Sequence, residues 1–267
     1  MTIFTWLCAA SSVALGSIFM FAAGAPRQYI IINIAALVVG FFVAVLMSRG
    51  RVPDARKSGA MPLIIGTILL ATALFGVQID GATRWFRIAG LSIQPSLILL
   101  PLALMQFARN RRWLSSVGLM IASVGLAMQP DRAMSGTLAA GLAALWLQRR
   151  EAPVTVALAA ALFGFAGAML KPDVVPPVLF VEQVVRSAFA FHVQAGIVIV
   201  AGLLILLLPA AAMLGPRTKE SAVFAVFGAT WLAVVAFALI GNYPTPLVGY
   251  GSSAIIGYCV SAARLPR

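Results

Sequence analysis

From Ile3 to Ala263 the chain is a succession of apolar runs separated by short, charge-bearing breaks, and the runs leave no polar face for water. A helix that is apolar all round must be covered by lipid or by other apolar helices, so a soluble core is excluded. The chain is read as an all-α polytopic membrane protein, one transmembrane domain over residues 1–267. Hydrophobic residues make up 62% of it and charged residues only 10%, so each ionisable group has to be explained by its place relative to the membrane. The first run, Ile3 to Gly24, lacks a basic n-region and continues into further apolar sequence, and is expected to stay as a first span rather than be cleaved. Cys8 and Cys259 lie inside apolar runs with no ligand partners nearby and are expected to be packing residues.

Turn and charge signals divide the sequence into ten spans, near 3–23, 29–48, 60–77, 92–107, 113–128, 134–148, 153–170, 187–208, 221–240 and 244–263. Several are shorter than the ~20 residues a perpendicular helix needs, which predicts shielding by neighbours or breaks at Pro and Gly. With the N-terminus cytoplasmic, the inside loops hold Arg49, Arg51, Arg56, Lys57, Arg109, Arg111, Arg112, Arg149, Arg150, Arg217, Lys219, Arg264 and Arg267, 13 of the 19 basic residues. Arg27, Arg84, Arg87, Arg132, Lys171 and Arg186 remain outside. Positive charge collects on the cytoplasmic side, so the split favours an even count with both termini inside. The net charge of +12 is thereby assigned to topology, and no nucleic-acid partner is expected because a basic groove with interleaved aromatics is missing.

Asp54, Glu151 and Glu220 read as solvated neighbours of cytoplasmic Arg and Lys, whereas Asp80, Asp131, Asp173 and Glu182 fall on the outer side among its six cations. Asp80 with Arg84, and Glu182 with Arg186, are four apart and would meet on one helix face. Each pair reads either as a structural ion pair at the membrane edge or as part of an anion site, since Arg grips phosphate bidentately. Gln129-Pro130-Asp131-Arg132 reads as a tight outer turn in which Asp131 caps the helix at Met134, or as an Asp-Arg pair aimed into a cavity. His192 reads as a hydrogen-bonded helix residue, with no second His or Cys placed to make a metal site. The segment from Asn242 to Ser253 is dense in Pro, Gly and hydroxyl residues, and suits either close helix packing through Gly249, Ser253 and Gly257 or a broken helix lining a cavity.

Three stretches, in order, resemble the SEDS family of shape, elongation, division and sporulation proteins, typified by FtsW and RodA. They are Gly81-Ala82-Thr83-Arg84-Trp85-Phe86 with Gln94-Pro95-Ser96, then Gln129-Pro130-Asp131, then Thr245-Pro246-Leu247-Val248-Gly249-Tyr250-Gly251-Ser252-Ser253. The resemblance covers most of the chain. It implies a multi-pass protein of the bacterial inner membrane, serving peptidoglycan synthesis in cell division or cell shape and meeting lipid II at the outer face. It also implies a transpeptidase or other cell-wall membrane protein as partner, and no cofactor or metal.

This sequence departs from the family where chemistry is expected. Leu97 and Leu100 stand where an acid and a Lys follow the Gln-Pro-Ser stretch, and Arg132 and Ala133 follow Gln-Pro-Asp in place of an apolar residue and Gly. The loop between spans seven and eight is short, about Lys171 to Arg186; aligning Gly196 puts Val185 at the family's catalytic Asp, and Val193 and Gln194 at its Glu pair. Glu182 or Asp131 would then have to serve as catalytic base. Asp80, Arg84, Arg87, Gln94, Gln129, Arg132, Tyr250 and Ser253 are the candidate substrate-binding residues, with Arg84, Arg87 and Arg132 for a diphosphate. Arg186 beside Glu182 is expected to lower its pKa. The departures favour a divergent member that binds a lipid-linked precursor, with an active minimal lipid II glycosyltransferase as the alternative and a small-solute transporter as the reading of another class. Transport is disfavoured because no inverted repeat is seen and no carboxylate lies well inside a span.

Overall fold

The protein is described from a computed structural model over residues 3–49, 59–88, 90–172, 175–214 and 219–266. Asp54, Asp173, Arg51, Arg56, Lys57, Arg217 and Arg267, which entered the charge argument, lie outside the described residues.

Helix stands at every one of the ten expected spans. The elements are α1 (Ile3–Ala22), α2 (Arg27–Arg49), α3 (Ala60–Phe75), α4 (Pro95–Arg109), α5 (Trp113–Met128), α6 (Arg132–Gln148), α7 (Ala152–Met169), α8 (Val184–Phe191), α9 (Val193–Leu207), α10 (Lys219–Ile240) and α11 (Ser252–Ala262). Five helical stretches, Ile3–Ala22, Arg27–Ser48, Ala152–Met169, Val193–Ala211 and Glu220–Ile240, are long and apolar enough to cross a membrane unaided. The shorter helices are kept from lipid by neighbours: along α4, for example, Leu97, Leu100, Leu104, Met105 and Phe107 are all buried. The eighth span is two helices, because His192 leaves the helix with φ −167° and its ring Nδ1 accepts the Gln194 N–H at the start of α9.

The two ends of the bundle are sorted as the charge asymmetry predicts. At one end Arg111 pairs with Glu151 at 2.8 Å, Arg109 Nε donates to the Arg264 carbonyl, and Ser221 donates to Gln148. At the other, loop residues 84, 94, 130–132, 168–171, 180–183 and 242–251 bond one another. The fold is thus a polytopic α-bundle with alternating spans.

Close backbone approach, rather than hydrophobic force, holds helices together in lipid, and the packing follows that rule. α3 and α5 touch through Gly66 and Gly118, where a Cβ on Gly118 would collide with the Pro62 carbonyl. α2 meets α11 along a narrow buried stripe of Asn33, Ala36, Gly40 and Ala44. In the core, Trp231 donates to Ser261 Oγ at 3.1 Å and Tyr258 donates to the Leu206 carbonyl at 2.6 Å, so both large side chains are buried with their polar atoms satisfied.

One element was not expected. Between α3 and α4 the chain forms a three-stranded antiparallel meander, β1 (Val77–Ile79), β2 (Ala82–Ile88) and β3 (Leu91–Ile93). Asp80 and Gly81, with φ of 46° and 83°, make the left-handed two-residue turn that joins β1 to β2. Asp80 and Arg84 therefore do not share a helix face: Asp80 is exposed on the turn, and Arg84 is buried within a strand.

Candidate functional site

Successive residues of β2 face opposite ways, and this decides where its two arginines go. Ala82 and Arg84 are buried against the bundle, while Trp85 and Arg87 share the other face. Arg84 is 3% exposed; its guanidinium donates to the Pro130 carbonyl and lies 5.5 Å from the centroid of the Tyr243 ring. Arg87 pairs in register with Ser92 and is exposed.

A cleft of about 320 Å³ opens beside the exposed face of the sheet. Trp85, Ser92, Gln94 and Leu97 line one side, Val178, Val181 and Glu182 a second, and Pro244, Thr245, Tyr250, Gly251, Ser252 and Ser253 the third. Its walls are largely apolar, with one carboxylate among several hydroxyls and an amide.

Glu182 is held there by strained backbone. Phe180 and Gln183 on either side of it have φ of 66° and 55°, and Leu247, buried two residues beyond Thr245, has 62°, each a left-handed conformation that costs a non-glycine residue roughly 1–3 kcal/mol. Cross-links overcome that strain. Thr245 N–H donates to the Val181 carbonyl at 2.9 Å, Tyr250 N–H to the Phe180 carbonyl at 2.6 Å, and Gln183 Nε2 to Asn242 at 2.7 Å. The Glu182 carboxylate turns back to accept the Val178 N–H at 2.7 Å. Burial raises its pKa to about 7, against the lowering effect of backbone hydrogen bonds and the Arg84 charge. The expected partnership with Arg186 does not form, because Gln183 breaks the helix and Arg186 points into a separate recess with Val185 and Asn242. The predicted lowering of the Glu182 pKa is replaced by a rise.

Asp131 lies one layer below. Fully buried, it caps α6 by accepting the Met134 N–H at 3.0 Å, and its second oxygen accepts from Gln94 Nε2 at 3.0 Å and Ser96 Oγ at 3.3 Å. Gln94 carries this network to the cleft, where its own N–H donates to Ser253 Oγ at 3.0 Å. Asp131 therefore reaches the site through Gln94.

The remaining candidates divide. Gln94, Tyr250, Ser253 and Glu182 line the cleft. Arg132 instead caps the end of α7 through the Ala168 and Lys171 carbonyls, and Gln129 is buried, donating to the Leu69 carbonyl at 2.7 Å. Asp80, Arg84, Asp131 and Arg132 are not among its lining residues, so the outer acids and arginines do not converge on one cavity. Trp85, Tyr243 and Asn33 were missed. Asn33, a lone amide inside the apolar run of α2, was the readable signal among them.

The chain matches the family model described as Cell cycle protein, that of FtsW, RodA and SpoVE, over residues 2–170. No curated protein matches it. Among solved structures, an aspartate-to-alanine mutant of the Thermus thermophilus rod shape determining protein RodA is similar with TM-score 0.68 at 21% identity, covering 97% of this chain and 94% of that one. The unmutated RodA gives 0.65 at 21%, covering 97% and 93%. A chain from a peptidoglycan synthase complex, solved for the structural coordination of polymerization and crosslinking, gives 0.65 at 21%, covering 97% and 94%. At this identity the likeness is one of fold.

Proposed function

Because the chain belongs to the SEDS family, the family of FtsW, RodA and SpoVE, we propose that its outer-face cleft takes a lipid-linked cell-wall precursor and that Glu182 is the base of a glycosyl transfer there. The carrying observation is the Glu182 carboxyl, set in the cleft with a pKa of about 7. A general base works best with its pKa near the working pH.

In the proposed step an acceptor sugar hydroxyl attacks the anomeric carbon of a lipid-linked saccharide. Its proton passes to Glu182, and the bond from that carbon to the lipid diphosphate breaks. The diphosphate carries away negative charge and needs a cation. Arg87 is the residue proposed for it, since it is exposed and has the strand parity of Trp85, which lines the cleft. Arg84, a candidate for the same role from sequence, is buried against the Pro130 carbonyl. Ser92, Gln94 and Ser253 offer hydrogen-bonding atoms for sugar hydroxyls. A bacterial inner-membrane location and a second cell-wall membrane protein as partner belong to the same reading.

A second reading is binding without polymerisation. It is favoured by Leu97, which gives the cleft an apolar wall where the resemblance places an acid. Polymerisation of lipid II by the purified protein separates the two. Polymer from wild type, lost in Glu182→Gln while lipid II still binds, supports transfer; no polymer from wild type with lipid II bound leaves the binding reading. Lipid II binding unchanged in Arg87→Ala would remove Arg87 from its role.

A further inference from the structure

Helix α2 is mostly lipid-facing, and the polar residue on its buried stripe is Asn33. An amide inside a span is expensive unless both of its ends are bonded. Both ends are used here, on one short piece of chain more than two hundred residues away. Asn33 Nδ2 donates to the Gly249 carbonyl at 2.9 Å, and Asn33 Oδ1 accepts the Gly251 N–H at 3.1 Å. One turn earlier on the same helix face, Tyr29 stacks on Tyr250, ring centroids 3.9 Å apart and planes within 8°.

The structure assigns Asn33 as the positioning residue of the cleft: with Tyr29 it clips residues 249–251 from both sides of Tyr250. Through them it holds the turn that carries Glu182. This rests on the cleft being the functional site. The linkage is continuous, because the Tyr250 N–H donates to the Phe180 carbonyl and the Thr245 N–H to the Val181 carbonyl, on the two residues before Glu182. At the bend of residues 249–251 the Gly249 carbonyl and the Gly251 N–H both face Asn33. A side-chain amide, with a donor and an acceptor on one carbon, meets both. Leucine, nearly the same size, meets neither. A carboxylate meets only the N–H and sets a negative oxygen against the Gly249 carbonyl, but a protonated carboxyl again has a donor and an acceptor.

That chemistry supplies the test. Fluorotyrosine at position 250 of the full-length protein in detergent reports the stacked ring by its 19F resonance, at pH 5 and pH 8. Asn33→Leu should move the resonance toward that of an unstacked tyrosine at both pH values, while helical content by circular dichroism stays that of wild type. Asn33→Asp, its buried carboxyl protonated at low pH, should restore the wild-type resonance at pH 5. Asn33→Ala carries the same comparison if Asn33→Leu does not fold. An unmoved resonance in the folded Leu or Ala variant would overturn the assignment, as would Asn33→Asp displaced at pH 5. Where wild type polymerises lipid II, Asn33→Leu should lower kcat at least tenfold with KM changed less than twofold. A wild type without polymerase activity defeats the proposed transfer and leaves the resonance test of Asn33 standing.

Discussion

Replacing Asp131 by Ala separates a scaffolding role from a chemical one, and its size can be worked from the bonds. The substitution removes the cap of α6, worth about 1 kcal/mol. It also removes the acceptor for Gln94 Nε2 and Ser96 Oγ, and a buried donor left without a partner costs about 1–3 kcal/mol. Gln94 and Ser96 remain 3.1 Å apart and can satisfy each other in part, so one orphaned donor is the fair count. The expected loss is therefore at least about 2 kcal/mol, a large share of the roughly 5–15 kcal/mol of a typical domain. Asp131→Asn keeps an acceptor for the Met134 N–H but turns an NH₂ toward Gln94, and should lose about half as much. Reversible unfolding in mixed micelles measures both, and a double-mutant cycle with Gln94→Leu should give a coupling of about 0.5–3 kcal/mol. A loss below about 0.5 kcal/mol for Asp131→Ala, or additivity with Gln94→Leu, would refute the network argument. If polymer is made, Asp131→Asn should leave the pH–rate limb of wild type in place, since Asp131 does not line the cleft.

Other outcomes follow from the same geometry. The rate of any Glu182-dependent transfer should rise about tenfold per pH unit below about 7 and level off above it, and Glu182→Gln should be slow and flat across pH 5 to 9. Stability moves the other way: the folded-state pKa of about 7 lies above the ordinary 4.5, so the unfolded chain releases this proton first and wild type loses stability as pH rises between the two. Unfolding scans should show Glu182→Gln gaining on wild type over that window and matching it below. Gly118→Val drives a side chain into the Pro62 backbone at the crossing of α3 and α5, and thermal melts should show a loss of at least 1–3 kcal/mol, the usual order for overpacking. Arg84→Ala should destabilise the protein by about 1–3 kcal/mol through the Pro130 carbonyl it abandons, a loss that size-exclusion and melting measurements would detect.

Apolar runs and loop charge made the ten spans readable, because lipid imposes length and sidedness on each span independently. What failed was local geometry in the outer loops. The i,i+4 spacing of Asp80 and Arg84 suits a helix face, although Asp80-Gly81 between alternating residues is a hairpin signal. Glu182 and Arg186 have the same spacing, and the left-handed Gln183 that separates them is held by Asn242, a contact between distant segments that no local pattern announces. Within the site, Gln94, Tyr250 and Ser253 came from motif order. The amide of Asn33 was visible, but its partners at Gly249 and Gly251 are set by tertiary packing alone.

The strand β2 has one further consequence. Its two arginines differ in fate through parity: even-numbered Arg84 is sealed inside and odd-numbered Arg87 meets water. Inserting or deleting a single residue between Gly81 and Arg84 would shift both onto the opposite faces, pulling Arg84 from the Pro130 carbonyl and turning Arg87 inward. Such a one-residue change would do at once what no single substitution in the strand can do, so the length of this segment carries more information than most of its side chains.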